Sequence, residues 1–244
     1  MSGIDLFIAD LHLCASAPDT VRAFAAFMRG PARDAHRLFI LGDLFEYWAG
    51  DDDRATPLNR EVCALLADAH RGGLQISFLA GNRDFLLGDA FCQAAGVTLA
   101  TEPLRITLGN TPALLVHGDA LCTDDVDYQA FRRQVRDPAW QAAFLAKPLA
   151  ERKAIIEGVR AHSEQGKQTK APEIMDVNAS AVADAFRRHG VSLMIHGHTH
   201  RPATHQHTVD GRTCTRWVLA DWHGTAPYLH ACDGELSRRE LRAS

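Results

Sequence analysis

The amino-acid sequence predicts an α/β protein with a layered α-β-β-α architecture and a helical insertion, or lid, over the site. Three observations predict this: short apolar runs recur along the chain, helix-like stretches separate several of them, and one long segment is helical without a strand. Alternation of strands and helices is typical of sheets that carry helices on their faces. We expect a single domain, residues 1–244, with the insertion at residues 124–176.

Six apolar runs have the length of buried strands, and nearly every one ends in Asp, Asn or His. The runs are residues 5–12, 37–43, 74–82, 113–119, 191–198 and 216–223. A polar side chain at the carboxyl end of a buried strand is placed to meet a ligand rather than to fill a core. In the fifth run we expect the strand to stop near Gly197, so that the histidines beyond it lie on a loop. A His-rich surface turn is the alternative for that stretch alone.

Helix-like stretches at residues 20–29, 57–70 and 177–188 lie between these runs, and the chain after Thr213 is richer in strands. Residues 124–176 break the alternation because apolar residues there recur four positions apart, as Phe131 and Val135 do. Within 131–170 there are nine Lys or Arg and four acidic residues, although the whole chain has a net charge of −4. This basic excess suits an anionic surface, and an ordinary solvated helix face gives the same pattern.

The composition excludes several classes of protein. A hydrophobic content of 46% is ample for a core, and a net charge of −4 argues against a general nucleic-acid binder. The six cysteines are scattered without a C-x-x-C pair, so we expect reduced thiols in a cytosol rather than a disulfide scaffold. The N-terminus does not resemble a signal peptide, and no run approaches the roughly 18 apolar residues that span a bilayer.

Seven polar residues follow the strand ends of five separate runs: Asp10, His12, Asp43, Asn82, His117, His198 and His200. Their mixed imidazole, carboxylate and amide donors suit borderline cations such as manganese, iron or zinc better than calcium. Seven ligands exceed what one small cation takes, so we expect two cations that share a bridging carboxylate.

In chain order, the patterns D-x-H, G-D, G-N-R-D, H and G-H-x-H resemble the calcineurin-like metallophosphoesterase family over nearly the whole sequence. The resemblance implies that fold and two ligand groups bridged by Asp43: Asp10, His12 and His200 on one cation, and Asn82, His117 and His198 on the other. His196 lies outside the pattern, and we expect it to support a ligand or to have a structural role.

The longer stretches LFIADLHL, LGDLFEYWAGDD, GNRDFLLG and HGHTHRP are similar to one branch of that family. Members of this branch cleave the diphosphate of UDP-2,3-diacylglucosamine in bacterial lipid A synthesis. The resemblance implies that UMP and 2,3-diacylglucosamine 1-phosphate (lipid X) are released, with two Mn²⁺ ions per chain. It also implies a cytoplasmic protein associated peripherally with the inner membrane surface. We expect no nucleic-acid ligand and no obligate protein partner.

Arg83 favours a diphosphate substrate independently of the resemblance. Arginine cannot usefully protonate a departing alkoxide, but it forks onto phosphate oxygens and stabilises their charge. A phosphate leaving group needs little protonation. We expect Asp84 to orient Arg83 or a ligand imidazole, which makes both residues candidates for catalysis. A simple salt bridge between Arg83 and Asp84 is the alternative.

The resemblance also implies a set of substrate contacts: Asn82, Arg83, Asp125, Ser163, Lys167, Lys170 and His198. Position 167 is often Asn in related sequences, whereas this chain has Lys. Two acyl chains need an apolar receptor, for which the insertion offers Phe131, Trp140, Phe144, Leu145, Ile155 and Ile156. Ordinary packing of the insertion onto the main domain is the alternative for each of them.

Two other functions stay open at the level of the sequence. The first is a phosphodiesterase or phosphatase of the same family, against which Arg83 and the amphipathic insertion count. The second is a protein-binding scaffold that has lost its ligands, against which the seven filled ligand positions count.

Overall fold

A computed structural model of the chain describes residues 3–169 and 174–242, without the side chains of residues 162–169 and 242. The predicted α/β class and its α-β-β-α layers are confirmed, because two sheets pack face to face between two helical layers. The described ranges contain eleven strands and seven α-helices.

The first sheet contains six strands: β1 (Asp5–Ile8), β2 (Arg37–Ile40), β3 (Gln75–Phe78), β4 (Val97–Leu99), β10 (Thr225–Cys232) and β11 (Glu235–Arg242). Their order across the sheet is β11-β10-β1-β2-β3-β4, and β1 to β4 run parallel. The carboxyl ends of these four strands therefore lie at one edge of the sheet.

The second sheet contains five strands: β5 (Leu104–Leu108), β6 (Thr111–Leu115), β7 (Leu193–His196), β8 (Thr204–Val209) and β9 (Arg212–Val218). Their order is β5-β6-β7-β9-β8, and the central β7 runs parallel to both of its neighbours.

The helices are α1 (Pro18–Arg29), α2 (Pro57–Arg71), α3 (Asp89–Ala95), α4 (Val126–Val135), α5 (Pro138–Leu145), α6 (Leu149–Thr169) and α7 (Ala179–His189). Helices α1 to α3 cover the outer face of the first sheet, and α7 covers that of the second. Both faces of β1 are buried: Leu6 and Ile8 pack toward the helices, and Phe7 packs between the sheets together with Ala9, the residue after the strand. A strand buried on both faces reads as a continuous apolar run, which is why the sequence revealed it.

Each of the six apolar runs overlaps a strand, although β6 and β9 begin before their runs. Strand β7 ends at His196, as expected from the position of Gly197. The sequence did not predict β4, β5, β8 or the seven-residue helix α3. Strands β5 and β8 lie at the edges of the second sheet, where their residues alternate between exposed and buried or half-buried positions. Such edge strands lack the continuous apolar run that marked the others.

Helices α4 to α6 lie between β6 and β7, in the segment predicted as an insertion, whose limits at residues 124–176 stay a prediction. Side chains of α6 connect this segment to the loop that follows β2 through hydrogen bonds and ion pairs. The buried Arg152 donates to Ala49 O at 2.5 Å and also pairs with Asp52. Lys153 Nζ lies 2.6 Å from Asp53 Oδ1.

None of the helices in the described ranges is both long enough and apolar enough to cross a bilayer. All six cysteines are free thiols, three of them buried.

Candidate metal centre

The seven predicted ligands converge at the carboxyl ends of five strands. Asp10 and His12 follow β1, Asp43 follows β2, Asn82 follows β3, His117 follows β6, and His198 and His200 follow β7. Three of these strands belong to the first sheet and two to the second, so both sheets supply residues to one cluster.

The backbone at five of these seven residues has a positive φ: Asp10, His12, Asp43, His198 and His200. In the described ranges the other non-glycine residues with this conformation are Asp210 and Asp233, each followed by glycine in a hairpin turn. A left-handed backbone at a non-glycine residue costs about 1–3 kcal/mol and persists only where the surroundings impose it. The strain is thus concentrated at the predicted ligands.

Two glycines next to predicted ligands leave room for buried carboxylates. A Cβ atom on Gly81 would lie 2.1 Å from Asp43 Oδ1, and one on Gly197 would lie 2.3 Å from Asp10 Oδ2. Any side chain at either position would displace the carboxylate. The glycines of the G-N and G-H patterns are therefore required by close approach of the backbone.

The first predicted ligand group comes together as expected. His200 Nε2 lies 3.3 Å from His12 Nε2 and 3.5 Å from Asp10 Oδ1. One ligand atom from each of the three residues lies within 4.8 Å of the others. Two imidazole nitrogens that face each other beside a carboxylate form a donor set that fits a borderline cation.

The second predicted group centres on Asn82. Its Oδ1 lies 3.0 Å from His117 Nε2 and 2.9 Å from His198 Nδ1. Asp10, Asp43 and His117 also place one ligand atom each within 4.8 Å of one another. The two groups are therefore adjacent, with Asp10 and Asp43 near both.

Asp43 lies between the two groups and is only 2% exposed. Its Oδ2 lies 4.0 Å from His12 Nε2, and its Oδ1 lies 3.8 Å from His117 Nε2. The backbone N–H of Arg83 donates to Oδ1 at 2.8 Å and fixes the orientation of the carboxylate. One oxygen thus faces each group, which is the arrangement that a bridging ligand requires.

Two of the histidines have an outer partner on the nitrogen that faces away from the cluster. His117 Nδ1 lies 2.8 Å from Leu41 O, and His200 Nδ1 lies 3.2 Å from Asp221 Oδ2. Such partners hold a ring so that its other nitrogen is available to a cation. His12 Nδ1 has no hydrogen bond from the described residues, and Glu46 Oε2 lies 3.6 Å from it.

The sequence reasoning missed Asp221 and Glu46. Asp221 stands in the sixth apolar run, at L-A-D-W-H, so the rule that polar residues at strand ends meet a ligand could have found it. Glu46 follows Asp43 by three residues in a loop and carries no such signal.

The fit of a cation is supported by an unsatisfied oxygen. Asp10 is completely buried; its Oδ2 accepts the backbone N–H of His198 at 2.8 Å. Its Oδ1 is buried without a hydrogen bond from the described residues. A buried carboxylate oxygen without a partner is costly, and a cation held with His12 and His200 would compensate it.

Burial and neighbouring charges distribute the protons of the cluster unevenly. Burial lowers the pKa of His12 to about 3 and that of His198 to about 4, so both rings are neutral and able to act as ligands near neutral pH. Burial also raises the pKa of Asp43 to about 7. The pKa of His117 rises to about 9 because the carboxylates around it, Asp43 first, outweigh its burial.

The pKa of His200 rises to about 10, because its contacts with Asp10 and Asp221 outweigh the effect of burial. His117 and His200 therefore carry protons near neutral pH. A cation that bound to their Nε2 atoms would displace those protons.

The structure corrects the expected contacts of Asp84. This carboxylate is fully buried and accepts backbone N–H groups from Gly81 at 2.8 Å, Leu44 at 2.7 Å and Asp43 at 3.3 Å. The expectation that it orients an imidazole or Arg83 is wrong, because both of its oxygens hold the backbone of two ligand loops. Arg83 pairs instead with Glu46, at 3.8 Å.

His196 is fully buried and has a structural role. Its Nδ1 donates to Gly197 O at 2.8 Å, and its Nε2 accepts from Arg216 at 2.9 Å. Burial lowers the pKa of His196 to about 3, so the ring is neutral. The expectation from the sequence, a supporting or structural role, agrees with these contacts.

Among the expected substrate contacts, Asp125 is buried and accepts the Tyr128 backbone N–H at 3.1 Å, which caps α4. The side chains of Ser163 and Lys167 lie outside the described residues, as does Lys170.

Helix α4 is joined to the cluster by a buried carboxylate that the sequence reasoning did not single out. Asp119, in V-H-G-D, accepts from Tyr128 Oη and from Arg132 Nε, each at 2.8 Å. The Tyr128 ring stacks on His198 with centroids 5.9 Å apart. Asp119 ends the fourth apolar run, so the strand-end rule could have identified it as well.

Comparison with known proteins gives a consistent result. Residues 6–202 match the family model described as calcineurin-like phosphoesterase, a range that includes all seven predicted ligands. The chain is 61% identical over 224 residues to UDP-2,3-diacylglucosamine hydrolase of Aromatoleum aromaticum, covering 92% of this chain and 91% of the relative. Proteins of the same name from Cellvibrio japonicus and Escherichia coli are 50% and 47% identical, covering 96% and 95% of this chain and 97% of each relative.

Asp43→Asn is expected to weaken Mn²⁺ binding by more than about tenfold, because the loss of even a residue that only supports a ligand typically costs about 10- to 100-fold. Asparagine tolerates the left-handed backbone, so the fold should be retained. Asp210→Asn is the matched control, since Asp210 has the same backbone conformation in an exposed turn. Isothermal titration calorimetry measures both. Equal affinities in the two variants would contradict a ligand role for Asp43.

Mn²⁺ binding is expected to release protons at about pH 7.5. At this pH, ligands whose pKa is raised still carry a proton, and a bound cation displaces it. The relevant pKa values are about 9 for His117 and about 10 for His200. Both rings are protonated below these values, so the apparent affinity should rise as the pH rises toward them. Calorimetry in two buffers of different ionisation enthalpy counts the released protons. Identical apparent enthalpies in both buffers would show that no proton is displaced.

Proposed function

Because the chain belongs to the calcineurin-like phosphoesterase family, we propose that it hydrolyses the diphosphate of UDP-2,3-diacylglucosamine to UMP and 2,3-diacylglucosamine 1-phosphate. The observation that carries this proposal is the position of Asp43 between two ligand groups, in a chain 61% identical to a hydrolase of that name. We assign this reaction to bacterial lipid A biosynthesis, the pathway that the resemblance in the sequence implies.

We assign the two ligand groups to two Mn²⁺ ions. Asp10, His12 and His200 would hold one ion; Asn82, His117 and His198 would hold the other; and Asp43 would bridge them. Divalent cations at such a site acidify a water molecule and neutralise charge on phosphoryl oxygens. The neutral amide oxygen of Asn82 adds a ligand without adding negative charge, which keeps the site attractive to an anionic substrate.

Arg83 is assigned to the diphosphate oxygens. Its backbone N–H is fixed on Asp43, and its guanidinium lies 3.8 Å from Glu46 and is 15% exposed. Glu46 also pairs with Arg160 of α6, so one carboxylate positions Arg83 beneath the insertion. A guanidinium held at this place stabilises the charge that develops on the phosphoryl oxygens.

In the proposed reaction the water oxygen bonds to the phosphorus nearer uridine, and the bond from that phosphorus to the bridging oxygen breaks. The bridging oxygen leaves with the lipid phosphate, which is a stable anion at neutral pH. No side chain has to protonate it, which agrees with an arginine at position 83.

The insertion is proposed to receive the acyl chains. Six of the seven exposed large hydrophobic residues of the described chain lie in it, at positions 126, 131, 145, 155, 159 and 174. Clustered exposed apolar side chains mark an interaction surface. Of the six candidates from the sequence, Phe131, Leu145 and Ile155 are exposed. Phe144 lies in the core, and Trp140 and Ile156 are partly buried and pack against it.

We propose that the same surface attaches the protein peripherally to the inner membrane. The apolar residues would enter the lipid, and the basic excess of residues 131–170 would meet anionic head groups. Asp125, Ser163, Lys167 and Lys170 remain proposed contacts to the sugar phosphate.

Hydrolysis in ¹⁸O-labelled water tests the substrate and the direction of attack together. UDP-2,3-diacylglucosamine, a phosphopeptide and a cyclic nucleotide are each offered to the Mn²⁺-loaded protein. We expect efficient turnover of the first alone, with the label in UMP. Label in the lipid phosphate would reverse the direction of attack, and efficient turnover of another substrate would overturn the assignment.

Arg83→Met is expected to lower kcat/KM for UDP-2,3-diacylglucosamine by about 10²- to 10³-fold, the usual cost of losing one donor to developing charge. Mn²⁺ affinity should be unchanged because the substitution keeps the backbone N–H that donates to Asp43. Arg60→Met, at an exposed position of α2, is the matched control. Steady-state kinetics measures kcat/KM, and calorimetry measures Mn²⁺ affinity. A loss of Mn²⁺ binding in Arg83→Met would show that Arg83 has a structural role instead.

The double variant Ile155→Ser and Val159→Ser is expected to raise KM for the diacylated substrate about tenfold, equivalent to about 1.4 kcal/mol. These residues are four apart on α6 and both exposed, so the change removes apolar surface and leaves the core intact. Leu99→Ser is the control because Leu99 is exposed outside the insertion. Kinetics with deacylated UDP-glucosamine complete the test, and equal losses on both substrates would remove the acyl-receptor assignment.

A further inference from the structure

A second polar cavity lies outside the cluster of predicted ligands. It has a volume of about 260 Å³ and is lined by residues of the loop after β7, by β8 and β9, and by Asp176. His198 and His200 turn toward the ligand cluster, whereas Thr199 between them lines this cavity. It is open on the side of Arg201, whose side chain is 45% exposed.

The central feature of the cavity is Arg216, a guanidinium that is only 6% exposed. Its Nε donates to His207 Nε2 at 3.2 Å, and its Nη1 donates to His196 Nε2 at 2.9 Å. Nη2 has no hydrogen-bond partner among the described residues. Buried arginines are normally paired with a carboxylate, and within the described ranges no carboxylate lies at ion-pair distance from Arg216.

The charges around the cavity sum to a positive value. Asp176 pairs with Arg201 at 2.8 Å and also attracts Arg216 from a longer distance, so two guanidinium groups share one carboxylate. Burial lowers the pKa of the neighbouring His205 and His207, so neither ring adds a negative or a positive charge near neutral pH. One net positive charge beside a cavity favours the entry of an anion.

A second observation points to a ligand with oxygen atoms. Thr199 lines the same cavity, and its hydroxyl is enclosed by the protein without a hydrogen-bond partner among the described residues. A hydroxyl can donate to an oxyanion while a guanidinium donates two parallel bonds to it. Arg216 Nη2 is thus an available donor in the cavity, and rotation of the Thr199 side chain would add Oγ1 as a second.

We propose that this cavity binds a phosphate group, held by Arg216 and Arg201 and by the Thr199 hydroxyl, as an anion site separate from the metal centre. A volume of 260 Å³ is close to the lower end, about 300 Å³, of small-molecule sites, so it suits a phosphate or one phosphate-bearing end of a nucleotide. The ligand is inorganic phosphate or the phosphate of product UMP; only the second alternative rests on the proposed function.

Calorimetric titration of the Mn²⁺-loaded full-length protein tests the proposal, with two equivalents of Mn²⁺ per chain and chloride to hold ionic strength constant. Inorganic phosphate, UMP and uridine are the three ligands. Arg216→Met is expected to weaken phosphate binding by about tenfold or more, as for the loss of a charge-assisted hydrogen bond. Arg201→Met, at an exposed position, should weaken it as well. Arg212→Met, an exposed arginine on the same strand, is the matched control.

If UMP binds more tightly than phosphate, and if Arg216→Met weakens the binding of both, the nucleotide is the ligand. If UMP binds no more tightly than phosphate, the ligand is inorganic phosphate. Binding that is equal in wild type, Arg216→Met and Arg201→Met overturns the proposal, since phosphate would then bind at the metal centre alone. If Arg216→Met fails to fold by circular dichroism, Arg201→Met decides. Turnover tests the proposed function separately, because phosphate binding does not require it.

Discussion

The buried carboxylate of Asp43 is the constraint on which the rest of the site depends. It is 2% exposed and lies between His12 and His117, at 4.0 and 3.8 Å. Burial raises its pKa to about 7, so the anion is unfavourable unless positive charge lies beside both oxygens. The two cations that we propose, one on each side of Asp43, would offset this cost.

The architecture brings these groups together by packing two sheets face to face. Phe7 and Phe39 stack with centroids 5.1 Å apart, on the strands that precede Asp10 and Asp43. They belong to the apolar layer between the sheets, which also contains Leu115 of β6. A shift of one residue in either strand would exchange its two faces and move the ligand loops apart. The core thus supplies the stability that holds five ligand residues in a strained backbone conformation.

The sequence predicted the architecture and the convergence of the ligands because both follow from local patterns. Runs buried on both faces stood out, and their polar ends marked the edge where parallel strands finish. What it did not reveal depends on contacts distant in the chain. Glu46 meets His12, Arg83 and Arg160 only in the fold, and Asp84 is occupied by backbone amides rather than by a ring. The edge strands also depend on neighbouring strands, which the spacing of apolar residues in the sequence does not identify. The same is true of which aromatic residues of the insertion are buried and which are exposed.

Electron paramagnetic resonance of the protein loaded with two Mn²⁺ per chain tests the central claim most directly. If Asp43 bridges two ions a few ångströms apart, the spectrum should show a spin-coupled pair, with hyperfine splitting half that of isolated Mn²⁺. A spectrum of uncoupled Mn²⁺ at full occupancy would contradict the account, because the carboxylate would then join no pair of cations.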